Sequence, residues 1–158
     1  MCLFKDLRFL SGGQQVAMKD KPYIYLEHTA DVKFQAFGKT VAEAFSNAIL
    51  ATFNLLVEPE LVEGRTTYKI TASAHDLEAL LYDTISEAIF LFDAKDFVLA
   101  KVEEIKIDLS KEPTLEAALK GDKASSYNVR PVVKAVTYNE MFVKEEKEGW
   151  TIQVVLDA

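Results

Sequence analysis

The chain has 158 residues, 49% of them apolar, which is enough for one domain with its own hydrophobic core but short for two. Its formal charge of −7 and isoelectric point near 4.9 argue against direct, sequence-independent binding to nucleic acid, because such binding depends on Lys and Arg neutralising phosphates. Cys2 is the single cysteine, no apolar run is long enough to span a membrane, and no secretory signal is recognisable. We therefore expect a cytoplasmic protein without a disulfide framework or a thiolate metal cluster.

The first 20 residues differ in composition from the rest of the chain. They contain the stretch Ser11, Gly12 and Gly13, and a Lys- and Asp-rich stretch begins at Met18. A stretch of small and polar residues such as Ser11 to Gln15 is typical of a flexible segment. We expect residues 1–20 to form a flexible leader and residues 21–158 to form the folded domain.

Two short strands and a helix are predicted next. Residues 23–26 and 32–37 are rich in β-branched and aromatic side chains, which is typical of strands. Thr40 is followed three residues later by Glu43, the pattern of a capping box, and apolar residues then recur at helical spacing. This pattern predicts a helix that ends before Pro59.

A third strand and a second helix follow. Residues 66–72 have strand character, and a continuous apolar stripe from Leu77 to Phe92 predicts a helix that begins near Asp76.

Beyond Asp96 the periodicity changes from 3.6 to 2. The alternation shifts phase at Glu103 and Glu104, which predicts a bulge in a long strand. Residues 132–138 and 150–156 also alternate, and the charged stretch 139–149 between them is predicted to be a turn region that could hold one more short strand. Strands that follow helices in succession favour the α+β class. We expect a single domain with a mixed or largely antiparallel β-sheet and two main helices.

Two acidic residues far apart in the chain could share a cation. Asp31 lies three residues after His28 in the turn between the first two predicted strands, and Asp157 follows the last predicted strand. If the fold brings them together, their carboxylates and the main-chain oxygens of Ala158 would suit a hard cation such as Ca²⁺ or Mg²⁺, with water completing roughly six to eight ligands. The alternatives are a turn role for Asp31, whose carboxylate can accept backbone N–H bonds, and an ordinary exposed position for Asp157.

Two basic side chains are further candidates. His28 could be a turn histidine bonded to a nearby carbonyl, and a zinc site of several histidines is excluded because His75 is the only other histidine. Lys134 interrupts an apolar strand, so it either points inward with a carboxylate partner or, more commonly, points to solvent. No phosphate-binding loop or nucleophile elbow is present, and nothing indicates a self-sufficient catalytic centre.

In combination, these motifs resemble the archease family, small protein partners of RtcB-type RNA ligases. The resemblance covers about residues 23–158. It rests on the turn at 27–32, the capped helix after Gly38, and the stretches 79–92, 133–138 and 154–157.

The resemblance implies a cofactor, a partner and a set of site residues. It implies an α+β domain that binds a divalent cation, with calcium as the favoured ion, through Asp31, Asp157 and Ala158. It also implies a role in ligase activation for Lys134, and we place His28 in the same functional group. Family members promote guanylylation of the ligase and its repeated turnover in tRNA splicing and RNA repair. The implied function is therefore that of a non-catalytic activator of an RtcB-type ligase with its GTP and Mn²⁺, without direct contact to nucleic acid or a membrane.

The chain departs from the family pattern at its last residue and around Lys134. It ends in Asp157 and Ala158 where Asp-Ile is usual, a change that a main-chain ligand tolerates and an apolar anchor does not. It has Pro131 and Asn139 where many relatives have histidines, so no role of those histidines is carried over.

Two alternative functions stay open at this point. One is a metal-dependent phosphate-ester hydrolase that uses Asp31, His28 and Asp157 around a cation-bound water. The other is a chaperone-like adaptor in which a structural metal ties the C-terminal residues to the turn.

Overall fold

The computed structural model describes residues 9–10, 21–28 and 30–158, and of residues 9–10 only the backbone. The prediction of a flexible leader at 1–20 therefore falls outside the described residues, apart from one two-residue strand. The elements are β1 (Phe9–Leu10), β2 (Tyr23–Leu26), β3 (Val32–Gly38), α1 (Val41–Asn54), β4 (Thr66–Ser73), α2 (Leu77–Lys95), β5 (Phe97–Asp108), β6 (Thr114–Lys123), β7 (Ala135–Glu146) and β8 (Gly149–Asp157). None of the helices in the described part of the chain is long and apolar enough to cross a membrane.

The strands form two sheets. The larger has the order β1-β2-β3-β8-β7, and the smaller has the order β4-β6-β5. Every pairing is antiparallel except that of β1 with β2. The predicted α+β class, with two main helices and a largely antiparallel arrangement, is confirmed, and the strands are divided between two sheets rather than joined in one.

The sequence signals for both helices are confirmed by the contacts at their ends. At the start of α1 the Glu43 N–H donates to Thr40 Oγ1 at 3.1 Å, and the Glu43 carboxylate accepts the Lys39 N–H at 3.0 Å. At the start of α2 the Ala79 N–H donates to the Asp76 carboxylate at 2.8 Å. Each contact satisfies a backbone donor that the helix itself leaves unpaired.

One cluster of buried residues draws on both sheets and both helices. Phe34 of β3, Phe53 of α1 and Phe97 of β5 are almost completely buried, and the rings of Phe53 and Phe97 meet edge-on with centroids 5.7 Å apart. Such aromatic contacts add to the free energy that burial itself contributes. The helix α1 thus joins the two sheets through its apolar face.

The strand pattern in the second half of the chain needs three corrections. The predicted turn region at 139–149 is mostly strand, since β7 continues to Glu146 and β8 begins at Gly149. Pairing with β8 stabilises this charged segment as strand although its composition favours a turn. The strand predicted at 132–138 begins only at Ala135, so Lys134 precedes it. Strand β6 was not predicted individually, although Leu115 and Leu119 are buried on one of its faces.

The predicted bulge in β5 is confirmed. Its pairing with β6 shifts between Val102 and Glu104, and a second shift lies between Leu99 and Lys101. Two bulges bend this long strand, because each places an extra residue opposite its partner.

Candidate functional site

The pairing of β3 with β8 brings the two predicted acidic residues to the same end of the larger sheet. Its register runs from Gly38 opposite Trp150 to Val32 opposite Leu156. Asp31 directly precedes Val32 and Asp157 directly follows Leu156, so both lie just beyond the last pair of this ladder, with Asp31 in a bend outside the strand. Asp31 is partly buried and Asp157 is exposed. Residues that lie far apart in the chain therefore share one end of the larger sheet.

The backbone of Asp157 is held from its other side by β7. Ala135 pairs with Asp157, and the Lys134 N–H donates to the Asp157 carbonyl at 2.8 Å. Ala158 is partly buried and packs against the main core. The last residues of the chain are thus fixed between two neighbouring segments. The Lys134 side chain is exposed, which agrees with the commoner of its two predicted positions.

His28 makes its contact with a carboxylate rather than with the carbonyl that a turn histidine was expected to meet. His28 Nε2 lies 3.0 Å from Glu140 Oε2, and Lys33 Nζ lies 3.6 Å from Glu140 Oε1. The side chains of His28 and Lys33 are 18% exposed and that of Glu140 is 45% exposed. The other ring nitrogen of His28, Nδ1, is buried and has no hydrogen-bond partner among the described residues.

The contacts of Glu140 change its acidity. The hydrogen bond from His28, and then the charge of Lys33, lower the pKa of the Glu140 carboxyl below its ordinary value. Both contacts favour the ionised form. Glu140 therefore carries a negative charge close to the turn that holds Asp31.

Sequence reasoning missed Glu140 and Lys33 as neighbours of the site. Glu140 lies in the charged stretch that was interpreted as a turn, and Lys33 looked like an ordinary polar position in an alternating strand. One signal was present, because the alternation of apolar and polar residues in β7 breaks between Tyr138 and Met141. A break of this kind indicates a bulge, and bulges often redirect a side chain next to a functional site.

The donor set at this end of the sheet fits a hard cation in part. Across the described residues, no group of three or more His, Cys, Asp or Glu side chains is placed to hold a metal ion. Asp31 and Asp157 therefore provide two carboxylates, and main-chain oxygen of Ala158 and water would have to provide the remaining ligands. Oxygen donors alone suit Ca²⁺ or Mg²⁺ better than zinc.

The comparisons with known proteins agree on one family. The Archease protein family (MTH1598/TM1083) matches residues 23–158. The protein archease of Methanosarcina mazei is 43% identical over 141 residues, which are 87% of this chain and 96% of that relative.

Two solved structures share the fold. The solution structure of protein 1598 from Methanobacterium thermoautotrophicum has a TM-score of 0.75 and 28% identity, and the match covers 87% of this chain and 99% of that one. A crystal structure from Thermotoga maritima, described as an archease and possible chaperone, has a TM-score of 0.53 at 19% identity over 84% of this chain and 94% of its own. The match over residues 23–158, together with the relative from Methanosarcina mazei, shows that this chain belongs to the archease family.

Proposed function

We propose that this protein activates an RtcB-type RNA ligase, promoting guanylylation of the ligase and its repeated turnover in tRNA splicing and RNA repair. The ligase makes the bond, and this protein is its non-catalytic partner in the cytoplasm. Membership of the archease family supports the proposal. The observation that carries it is the register of β3 with β8, which ends at Val32 opposite Leu156 and so brings Asp31 and Asp157 to the same end of the larger sheet.

The site proposed to act is the Asp31–Asp157 end of the sheet with a divalent cation, calcium being the favoured ion. Asp31, Asp157 and a main-chain oxygen of Ala158 would hold it. When bound, the cation supplies positive charge next to the phosphates of the ligase's nucleotide. The backbone bond from Lys134 to Asp157 would keep the C-terminal residues in place.

The net charge of the chain supports the proposal of a protein partner that binds a nucleotide. The chain has a net charge of −7, so a basic nucleotide pocket would attract it and nucleic acid would not. The exposed side chain of Lys134 adds one positive charge beside the acidic tail. Nucleotidyl transfer depends chiefly on positioning and on charge stabilisation, and a partner protein can contribute to both.

A turnover assay tests the proposal. An RtcB-type ligase is incubated with GTP, Mn²⁺ and RNA ends that carry a 2′,3′-cyclic phosphate and a 5′-hydroxyl, with and without this protein. Guanylylated ligase and joined RNA per ligase are then counted. We expect the wild type to raise both quantities, and Asp31→Ala and Asp157→Ala to abolish the increase. Asp93→Ala, an exposed aspartate on α2, is the matched control.

Lys134→Ala tests the second part of the site, with the exposed Lys111→Ala as its control. We expect Lys134→Ala to reduce stimulation while leaving the fold intact, because its side chain is exposed. Stimulation by Asp31→Ala equal to that of the wild type would refute the proposed function.

An adaptor with a structural cation is the second candidate, and the description of the Thermotoga maritima protein as a possible chaperone favours it. The protein is stripped of cations with a chelator and freed of the chelator before the assay. Under the adaptor reading, its thermal stability falls but its stimulation of the ligase, at a temperature where it stays folded, does not change. Under our proposal, stimulation falls and returns when Ca²⁺ is added.

A further inference from the structure

A four-residue excursion in β7 lies close to the candidate site. The pairing of β7 with β8 is regular up to Thr137 opposite Val155 and resumes at Phe142 opposite Gln153. Residues 138–141 therefore leave the ladder. Within them Glu140 has a φ of 55°, in the left-handed region that a non-glycine residue seldom adopts. Such a conformation persists only where surrounding contacts hold it.

Two buried amides hold the excursion in place. Gln35 and Gln153 are opposite each other in β3 and β8, 4% and 8% exposed, and Gln35 Nε2 donates to Gln153 Oε1 at 3.0 Å. Gln153 Nε2 then donates to the Glu140 carbonyl at 2.8 Å. A buried amide that is fully hydrogen-bonded is costly to displace. The backbone of Glu140 is thus anchored to the centre of the larger sheet.

From this anchored position the Glu140 side chain reaches across β8 to β3. It contacts His28, three residues before Asp31, and Lys33, two residues after it. The Glu140 carboxylate therefore contacts one residue before Asp31 in the chain and one residue after it.

We propose that Glu140 is a positioning residue that keeps Asp31 at the same end of the sheet as Asp157 and ready to bind a cation. The inference rests on the proposed function, since it concerns the same cation site. Glu140 acts through His28 and Lys33 and touches no reacting group. Residues that hydrogen-bond to metal ligands typically change metal affinity by 10- to 100-fold when they are replaced, and because Glu140 contacts only neighbours of Asp31 we expect an effect near the lower end of this range.

Calorimetric titration with Ca²⁺ alone tests the inference. The wild type is compared with Glu140→Ala, Glu140→Gln and the control Glu145→Ala, an exposed glutamate on the same strand. We expect Glu140→Ala to lose at least about tenfold in Ca²⁺ affinity. Glu140→Gln keeps an acceptor for His28 but loses the charge that Lys33 faces. Its Ca²⁺ affinity should therefore lie between those of the wild type and Glu140→Ala. Melting temperatures without cation should differ little, since partly exposed ion pairs contribute little to stability.

A second measurement examines the contacts of Glu140 with His28 and Lys33 without any cation. Hydrogen exchange followed by NMR at Glu27, His28 and Asp31 should be faster in Glu140→Ala than in the wild type, because the turn is no longer held. In addition, the losses of Ca²⁺ affinity caused by His28→Ala and Glu140→Ala should not add in the double variant, because the two residues act as one unit.

The outcomes separate two failures. If the wild type binds Ca²⁺ and Glu140→Ala binds it equally well, or exchange in the turn is unchanged, Glu140 has no positioning role and the proposed function is unaffected. If the wild type binds no Ca²⁺, the cation part of the proposed function fails, and the inference fails with it.

Discussion

The two ends of the ladder between β3 and β8 are built in opposite ways. At one end Gly38 faces Trp150, and a Cβ atom on Gly38 would overlap the backbone nitrogen of Ala44 and lie 2.8 Å from the carbonyl carbon of Glu43. At the other end Asp31 and Asp157 lie just beyond the pair of Val32 with Leu156. At the first end α1 packs closely against β3, whereas the second end carries two acidic side chains, the proposed ligands of the cation.

The glycine end of the ladder depends on close packing, and the acidic end depends on charge. At the glycine end, the start of α1 lies so close to β3 that no side chain fits between them. At the acidic end Asp157 is exposed and Asp31 is partly buried, and neither side chain belongs to the hydrophobic core. Side chains that add nothing to the stability of the fold tend to mark functional sites.

The largest expected effect is at the glycine end. Gly38→Ala should destabilise the protein by about 3 kcal/mol, because the added methyl group must push the first turn of α1 away from β3. Urea unfolding measures the loss. Gly64→Ala is the control, since a Cβ there would lie 3.5 Å from Lys120 Cβ, an ordinary contact, and the stability should change by no more than about 0.5 kcal/mol. If Gly38→Ala is as stable as the wild type, the close approach of α1 to β3 does not require glycine at position 38.

The next effect is specific to the acidic end. Ca²⁺ at about 100 times its dissociation constant should stabilise the wild type by about 2.7 kcal/mol. Asp157→Asn should gain nothing from Ca²⁺, and without cation it should be about as stable as the wild type because its side chain is exposed. Thermal unfolding with and without Ca²⁺ measures both. Asp93→Asn should behave as the wild type, and stabilisation of Asp157→Asn by Ca²⁺ would contradict the assignment.

A smaller effect concerns the amides between the two ends. Gln153→Leu should cost about 2 kcal/mol, because it leaves the buried Gln35 amide and the Glu140 carbonyl without their partner. In the double variant Gln35→Leu with Gln153→Leu, part of this loss should be recovered, since the unpaired amide is removed. Urea unfolding of the two single variants and the double variant completes the cycle. Strictly additive losses would show that the two amides are not coupled.

The smallest effect is the pH dependence of the Glu140 contacts. Because its pKa is lowered from 4.5, the carboxylate stabilises the fold above that value and loses this contribution as the pH falls through its lowered value in the folded protein. The wild type should therefore be slightly more stable than Glu140→Gln at about pH 6, and this advantage should shrink below about pH 4.5. Melting temperatures over this range test the sign, with Glu145→Gln as control. An advantage that does not shrink by about pH 3 would show that it does not arise from the charge of Glu140.

Local patterns were sufficient for the elements with strong periodicity. The capping residues Thr40 and Asp76 and the apolar stripes after them predicted both helices, and the phase shift at Glu103 predicted the bulge in β5. The hairpin of β7 and β8 was less predictable, since the strand continues through charged residues up to Glu146. There, pairing with a neighbouring strand stabilises a segment whose own composition favours a turn.

Local spacing and composition indicated the α+β class and the residue types at the candidate site, and the resemblance of the motifs to known proteins indicated the archease family. The tertiary structure decided which of those residues meet. The register of β3 with β8 brings Asp31 and Asp157 to one end of the larger sheet, and the excursion in β7 lets Glu140 reach His28 and Lys33. A local break in alternation can indicate a bulge, but the choice of partner strand and its register depend on contacts between residues far apart in the chain.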